Sequence, residues 1–380
     1  MLARKPPPTP FVMRESPLAM RGSPAVISIL LAPLQWAAIL RGHRPRTPYA
    51  PMHLQLGIDN YSLRSFGWNA AQLIEYAAAL RLDVLMLSDL DVFGTRADTH
   101  LREIRARAAD RGLALQVGML SICPASVMFD PRRGTAGEQL RETIRVAGAV
   151  GSPIARCVLG KVDDRRSPGG IGARIAETVA VLQSVRSFAQ DRGIKVAVEN
   201  HAGDLQSREL LGLIDAAGRD WVGALVDAGN ATWALEEPLC NLARLAPVAL
   251  TSGIRDSVLW PAPDGAVLQW AAVGEGSVDL KNYFAQFARL CPEVPVILET
   301  ISGRPIPIPF RAPDFWTAYP PSDPREFAAF TAWIERGQPR PPFVPPAGAA
   351  GVLAEQEFQR AELERSVRYC REVLGLGRKS

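Results

Sequence analysis

The chain has 380 residues, 47% of them hydrophobic, and a formal net charge of +4 at pH 7. This length allows one large domain or two ordinary ones, with enough apolar residues for a sizeable core. We expect no nucleic-acid partner, because the charge excess is small and lies partly in an arginine-rich N-terminal segment. The five cysteines are odd in number, widely spaced and without a C-x-x-C pair, which argues against disulfides and a thiolate zinc site. We therefore expect buried free thiols and a cytoplasmic location.

Residues 1–51 differ in composition from the rest of the chain. A run of prolines opens an arginine-rich stretch, and residues 25–40 then carry no charge. That apolar run is shorter than the roughly 20 residues that span a bilayer, and a proline interrupts it. It also begins late for a secretory signal, and no clear small-x-small cleavage site follows. We expect a disordered extension, or a start assigned upstream of Met52, and no membrane association.

From Met52 onward, strand-length apolar runs alternate with segments of helical periodicity. The pattern predicts eight strands, at residues 53–59, 84–87, 113–117 and 154–159, in the runs that end at Glu199 and Asp227, and at 248–254 and 294–298. It predicts helices between them, including 69–80, 96–111, 138–150, 171–190 and 279–290. Such alternation is typical of a parallel sheet, and eight units indicate a (β/α)8 TIM barrel. A doubly wound open sheet is the alternative, although no G-x-G-x-x-G follows the first strand.

The chain becomes proline-rich after the eighth predicted strand. A helix is predicted at 323–336, a second proline-rich segment at 339–346, and a long helix at 352–374. We therefore assign residues 52–338 to the barrel and 339–380 to a linker and C-terminal helix. That helix packs either on the barrel or on a second subunit, which leaves a homo-oligomer open.

Acidic residues follow three of the predicted strands at the point where each strand ends. Glu199 follows V-A-V, Asp227 follows L-V, and Glu299 follows V-I-L. Catalytic groups of α/β barrels lie at the C-terminal ends of the strands. We therefore expect these three carboxylates to share a site, and disfavour three unrelated surface acids.

Five motifs lie at strand ends or before helices: V-A-V-E-N-H (196–201), V-D-A-G-N (226–230), T-S-G-I-R-D-S (251–257), G-E-G-S-V-D-L (274–280) and V-I-L-E-T (296–300). In this order they resemble the xylose-isomerase-like barrels described as sugar phosphate isomerases/epimerases, over residues 53–300. The resemblance implies a divalent cation, Mg²⁺ or Mn²⁺, held by Glu199, Asp227, Glu299 and a histidine in strand seven. Gly253 stands where that histidine is expected, so three carboxylates and water would remain as ligands.

The resemblance also implies a reaction. A metal-dependent isomerase or epimerase would move a proton next to the carbonyl of a sugar or polyol ketone, with Glu199 and Glu299 as the acid–base pair. A dehydratase that uses the same site is one alternative. A non-catalytic sugar-binding barrel is another, because of Gly253. A related DNA-repair nuclease is disfavoured, because of the four histidines only His201 lies at a predicted barrel rim.

Other side chains at the strand ends are candidates for substrate contact. His201 lies two residues after Glu199, and should face the same cavity because alternate residues of a strand share a face. Asn230 is either a hydrogen-bonding partner of the substrate or a turn residue. Arg255 is either an anion-binding residue, able to reach into the space of the missing histidine, or a solvated surface residue. Looser candidates for lining the pocket are Asn60, Tyr61, Asp89, Trp233 and Trp260.

Overall fold

The computed structural model describes residues 54–319 and 323–377. The interpretation of residues 1–51 therefore lies outside the described residues. The described strands are β1 (Leu56–Asp59), β2 (Val84–Leu87), β3 (Ala114–Ser121), β4 (Ile154–Val158), β5 (Lys195–Glu199), β6 (Val222–Asp227), β7 (Ala249–Gly253), β8 (Asp256–Ala262), β9 (Gly265–Ala271), β10 (Val296–Leu298) and β11 (Pro305–Ile308). The α-helices are α1 (Ala70–Ala79), α2 (Asp98–Asp110), α3 (Ala136–Val150), α4 (Gly170–Gln190), α5 (Ser207–Ala217), α6 (Ala228–Trp233), α7 (Pro238–Leu245), α8 (Leu280–Leu290), α9 (Pro324–Ile334) and α10 (Ala349–Glu372). Within these ranges, no helix combines the length and apolar character needed to cross a membrane.

Eight parallel strands form the barrel. Their order is β10-β1-β2-β3-β4-β5-β6-β7, and Ile254 brings the two ends of this sheet together. Its backbone N–H donates to Ile297 O at 2.7 Å, and its carbonyl accepts from Glu299 N at 3.1 Å. The strands are buried on both faces, which explains their continuous apolar runs. The predicted (β/α)8 barrel is confirmed, and the five cysteines are free and buried as expected.

Local sequence signals place the helices between the strands. Asn69 and Thr135 cap α1 and α3 through capping boxes, in which the side chain of each of two residues hydrogen-bonds the backbone N–H of the other. Gly151 ends α3 in the left-handed conformation, with φ of 80°, which glycine adopts without strain. The helix predicted at 171–190 is observed as Gly170–Gln190. These signals act over a few residues, so the sequence alone reveals them.

The chain between β7 and α8 differs from the prediction, which has no strand there. The structure has an antiparallel hairpin, β8 and β9, turned by Pro263 and Asp264, and β11 pairs with the other edge of β9. The prolines of this sheet, Pro261, Pro305 and Pro307, all lie in its edge strands β8 and β11. Proline has no N–H to donate and is tolerated at an edge. Because proline within a run argues against a strand, the sequence pattern conceals this sheet.

The hairpin brings an aromatic cluster to the C-terminal rim of the barrel. We call the cluster the aromatic cover; its buried aromatic members are Trp270, Phe310, Phe315, Tyr319, Phe330 and Trp333. Trp270 Nε1 donates to the carbonyl of Gly229 in α6 at 3.1 Å. Since α6 begins directly after Asp227, this bond ties the cover to the end of β6.

The predicted C-terminal helical extension is confirmed as α10. Gln359 Oε1 accepts hydrogen bonds from Ser65 N at 3.1 Å and Ser65 Oγ at 2.7 Å. Ser366 Oγ accepts from Val273 N at 2.9 Å. The helix therefore packs on the barrel of its own chain.

Candidate active site

Three carboxylates from distant parts of the chain meet at the C-terminal end of the barrel. Glu199 ends β5, Asp227 ends β6, and Glu299 follows β10. One oxygen of each lies within 4.8 Å of the others, and all three side chains are buried. Three acids so close together require nearby positive charge or protonation, because burial disfavours the charged form.

Two asparagines hold the carboxylates in place. Asn200 hydrogen-bonds both backbone groups of Asp227, through Nδ2 to the carbonyl at 2.8 Å and through Oδ1 to the N–H at 2.9 Å. Asn230 N donates to Asp227 Oδ1 at 2.6 Å, and Asn230 Nδ2 donates to Glu199 Oε1 at 3.0 Å. Asn230 thus links two of the three acids.

Arg255 lies inside the carboxylate cluster. Its Nη1 donates to Asn230 Oδ1 at 2.9 Å, and its Nε donates to the backbone carbonyl of Glu299 at 3.2 Å. Its Nη2 contacts Glu299 Oε2 and lies 3.1 Å from Asp227 Oδ2. The side chain is 2% exposed, and its guanidinium carbon is 4.5 Å from the centre of the Trp270 ring. The solvated-surface alternative for Arg255 is therefore wrong.

Gly253 stands close to Asp227. A Cβ on Gly253 would lie 2.8 Å from Asp227 Oδ2 and 3.2 Å from Leu225 Cδ2. Non-bonded carbon and oxygen atoms do not pack at 2.8 Å, so any side chain at this position would displace the carboxylate. Gly253, which stands in place of the expected histidine, therefore leaves room for the carboxylate of Asp227.

Arg156 is a site residue that the sequence analysis missed. It lies in β4, is 3% exposed, and donates through Nε to Glu199 Oε2 at 2.7 Å and through Nη1 to Met119 O at 3.0 Å. The signal was present in the sequence as one charge inside the apolar strand I-A-R-C-V. Long cationic side chains are almost never fully buried unless they are paired.

A fourth carboxylate, Asp59, lies at the end of β1 close to the cluster. It is 4% exposed and accepts hydrogen bonds from Tyr61 N at 2.8 Å and from Ser88 Oγ at 2.7 Å. Its position at a strand end is the same signal that indicated the other three acids. The sequence analysis did not select it as a candidate.

The buried carboxyls differ in proton affinity. Burial and, to a smaller extent, the Glu299 charge raise the pKa of Asp59 to about 7, with Arg156 opposing the shift. Burial also raises the pKa of Asp227 well above its ordinary value, against the effect of Arg255. For Glu299, burial acts in the same direction, but Arg255 and Arg156 outweigh it and the pKa is lowered. Neighbouring carboxyls with unequal pKa values can divide the roles of acid and base.

His201 lies beside the cluster and is partly buried. Its Nδ1 is 2.7 Å from the carbonyl oxygen of Gly160, and a carbonyl can only accept, so we assign the proton to Nδ1. Burial lowers the pKa of His201, which favours the neutral ring. Nε2 then remains as an acceptor, able to receive a hydrogen bond from a hydroxyl group.

The looser candidates have partners other than the three carboxylates. Asn60 and Asp89 are joined by a long hydrogen bond of 3.4 Å, and Tyr61 is exposed. Trp233 packs edge-on against Trp270 of the aromatic cover, with ring centroids 5.7 Å apart. Trp260 is a buried residue of β8.

The family assignment follows from comparison with known proteins. The model of the xylose isomerase-like TIM barrel family matches residues 63–318, more than half of the chain. The chain belongs to this family. The resemblance noted in the sequence motifs is thus confirmed.

Similar proteins in this family are enzymes of several kinds. A 3-oxo-isoapionate decarboxylase of Pectobacterium atrosepticum is 22% identical over 195 residues, which are 49% of this chain and 62% of the relative, less than two thirds of its length. A D-psicose 3-epimerase solved in the presence of D-fructose has a TM-score of 0.56 at 15% identity, with 85% of this chain and 100% of the epimerase covered. The "probable 3-DHS dehydratase AsbF" of Bacillus anthracis has a TM-score of 0.51 at 14% identity, with 65% and 93% covered. At these identities the solved structures establish the fold alone.

The site can be tested for its fit to the divalent cation that the xylose isomerase-like motifs imply. The three carboxylates supply oxygen ligands and lie close enough together to bind a metal ion. One of them, Asp227 Oδ2, is buried and accepts no hydrogen bond from any described residue. However, Arg255 Nη2 lies 3.1 Å from this oxygen and also contacts Glu299. With Gly253 in place of the fourth ligand, the residues as arranged fit a guanidinium and do not fit a metal ion.

Proposed function

We propose that this chain is an isomerase or epimerase that transfers a proton at the carbon next to the carbonyl of a sugar or polyol ketone. The observation that carries the proposal is the approach of two buried carboxylates from different strands to one guanidinium. Glu299 contacts Arg255 directly, and Glu199 is linked to Arg255 through Asn230. A base, an acid and a fixed positive charge are the groups that this chemistry needs.

The reaction is a pair of proton transfers. One glutamate removes the proton on carbon, and the electron pair moves into the carbonyl group, whose oxygen becomes negative. The other glutamate returns a proton to the opposite face of the same carbon, which gives an epimer. Return to the former carbonyl carbon gives an isomer, provided that the hydroxyl proton of the enediol passes to the former carbonyl oxygen, so that the new carbonyl forms where the hydroxyl group was. The N–H groups of Arg255 stabilise the negative oxygen, and their effect is large because the site is buried.

His201, Asn230 and Arg255 are the proposed substrate-binding residues. His201 Nε2 can accept a hydrogen bond from a sugar hydroxyl, because the ring proton lies on Nδ1. Asn230 Nδ2 donates to Glu199 Oε1, and Arg255 Nη1 donates to Asn230 Oδ1. The two side chains therefore place N–H donors beside both glutamates. The metal dependence that the motifs imply, with Mg²⁺ or Mn²⁺, is assigned no step, because the arranged residues do not fit the ion.

A lyase is the second candidate. The similarity to a decarboxylase and to a dehydratase favours it. Loss of carbon dioxide from a 3-keto acid produces the same kind of enolate that proton removal produces. A dehydratase forms the enolate by proton removal and then expels a hydroxyl group, which leaves as water after it gains a proton. The products therefore distinguish the candidates.

Hydrogen–deuterium exchange tests the proposal. The protein is incubated in D₂O with ketoses, inositol-like ketones and 3-keto acids, and the product is analysed by NMR and mass spectrometry. We expect deuterium next to the carbonyl, and rates lower by roughly 10²–10⁴-fold in Glu199→Gln and Glu299→Gln. Glu293→Gln, at an exposed position, is the matched control and should react like the wild type.

The product identifies the reaction class. Deuterium without loss of mass supports the isomerase or epimerase, whereas loss of one water or of carbon dioxide supports the corresponding lyase. Turnover that persists in both glutamine variants would contradict the assigned acid–base pair. Ligand binding without exchange or turnover would favour the non-catalytic sugar-binding barrel.

A further inference from the structure

We propose that Arg255 is the resident cation of this barrel, and that its guanidinium takes the position a divalent metal would occupy. The residues that would ligate a metal then serve to hold an arginine. That Arg255 stabilises the negative charge developing on the substrate rests on the proposed function. That Arg255, and not a metal ion, is the cation in the site does not depend on that function.

The contacts of Arg255 make this position specific. All three guanidinium nitrogens have acceptors nearby: Asn230 Oδ1, the backbone carbonyl of Glu299, and the carboxylates of Glu299 and Asp227. The planar guanidinium presents five donors in a fixed fork, which suits carboxylates arranged around it. Trp270 covers one face of the group, with its ring centre 4.5 Å from the guanidinium carbon. Polar contacts therefore hold the guanidinium at its edges, and the Trp270 ring packs on one of its faces.

Two glycines provide the space that the arginine occupies. A Cβ on Gly229 would lie 2.7 Å from Arg255 Cβ and 2.9 Å from Arg255 Cδ. A Cβ on Gly253 would lie 2.8 Å from Asp227 Oδ2, the oxygen that faces Arg255 Nη2. A residue larger than glycine at either position would therefore disturb the arginine or its partner. Glycine at both positions is therefore part of the arrangement that holds Arg255 against Asp227.

The charges in the site support the same conclusion. Arg156 pairs with Glu199, and Arg255 is shared by Asp227 and Glu299. Each of the three acids is thus paired with an arginine. A divalent ion between Asp227 and Glu299 would lie against the Arg255 guanidinium, and two positive groups in a buried site repel strongly.

Metal binding by the full chain tests this inference without reference to activity. The protein is purified without chelator, its metal content is measured, and Mn²⁺ is titrated by electron paramagnetic resonance. We expect the wild type to hold no stoichiometric Mn²⁺ and its melting temperature to be unchanged by a chelator. We expect Arg255→Met to bind close to one Mn²⁺ per chain, and Arg255→Met/Asp227→Asn to lose that binding.

Control variants separate the vacated site from a general loss of charge. Arg132→Met removes an arginine whose side chain is 88% exposed, and should bind no more Mn²⁺ than the wild type. Arg255→Met/Gly253→Ala places a Cβ 2.8 Å from Asp227 Oδ2 and should bind Mn²⁺ more weakly than Arg255→Met.

Two results would overturn the inference. One is a stoichiometric Mn²⁺ in the wild type that Asp227→Asn removes, and this test needs no Arg255 variant to fold. The other is a folded Arg255→Met protein that binds no Mn²⁺. Neither result bears on whether Glu199 and Glu299 exchange a substrate proton, so failure of this inference and failure of the proposed function are distinguishable.

Discussion

Asn200 joins the ends of two barrel strands by hydrogen-bonding both backbone groups of Asp227. The donor of its side-chain amide reaches the carbonyl of Asp227 at 2.8 Å, and its acceptor receives the N–H at 2.9 Å. The amide thus continues the pairing of β5 with β6 where β5 has ended. It holds the Asp227 carboxylate beside Glu199.

Replacing Asn200 with Asp should destabilise the protein. Aspartate cannot donate to the carbonyl of Asp227, so this buried carbonyl loses its partner, and another acid enters a region that already holds three. We expect the free energy of unfolding to fall by about 2 kcal/mol, measured by urea denaturation. Asn69→Asp is the control, because Asn69 uses an oxygen to cap α1 and aspartate supplies the same acceptor. Equal losses in the two variants would contradict the role assigned to Asn200.

Removing Arg156 should leave Glu199 as an uncompensated buried charge. We expect Arg156→Met to lower the free energy of unfolding by about 3–5 kcal/mol in urea denaturation. Adding Glu199→Gln removes that charge, so the double variant should recover much of the loss. Arg132→Met, at an exposed ion pair, should change stability little. If Glu199→Gln makes the Arg156→Met protein less stable, the two residues do not compensate each other as described.

A methyl group at position 253 should disturb Asp227. The added Cβ of Gly253→Ala would lie 2.8 Å from the carboxylate oxygen, and we expect the free energy of unfolding to fall by about 1–3 kcal/mol. Gly212 lies in α5, and a Cβ there meets no atom within 4 Å. Gly212→Ala should therefore raise the free energy of unfolding by about 0.5–1 kcal/mol, because alanine is the better helix former. Urea denaturation of both variants measures the two changes in the free energy of unfolding, which should have opposite signs. A Gly253→Ala protein more stable than the wild type would show that the carboxylate cluster can accommodate the methyl group.

Trp270 should stabilise the site through its ring more than through its N–H group. Trp270→Ala removes the ring over Arg255 and leaves a cavity in the aromatic cover, and we expect a loss of about 3–5 kcal/mol in the free energy of unfolding. Trp270→Phe keeps an aromatic face but loses the hydrogen bond to Gly229, and should cost about 1 kcal/mol. Both changes in the free energy of unfolding are measured from the urea midpoints of the variants, analysed with a common slope of free energy against urea concentration. Equal destabilisation by the two substitutions would mean that the hydrogen bond, and not the ring, holds the cover in place.

Much of the barrel could be predicted because its signals are local. The apolar runs before Glu199, Asp227 and Glu299 reflect strands buried on both faces, and capping residues such as Asn69 mark the helix starts. The antiparallel sheet of β8, β9 and β11 was missed because prolines occupy its edge strands. A proline in a short run argues against a strand unless the pairing partners are known.

The candidate site was predicted less completely than the barrel. Parallel strands carry their C-terminal ends to one rim, so three acids could be placed together from the sequence. Arg156 was overlooked because its meaning depends on Glu199, which lies 43 residues further along the chain. Asp59 was overlooked because its position beside Glu299 depends on the pairing of β1 with β10, two strands far apart in the chain.

By itself, the sequence determined the succession of strands and helices and the acids that end three strands, since periodicity and capping act between near neighbours. Only the tertiary structure decided which charge neutralises which acid. Arg255 and Glu299 are 44 residues apart in the chain. They meet because Ile254 joins β10, the last strand of the barrel, to the end of β7. Electrostatic pairing in a buried site depends on distances of a few ångströms, and the chain sets those distances only when it folds.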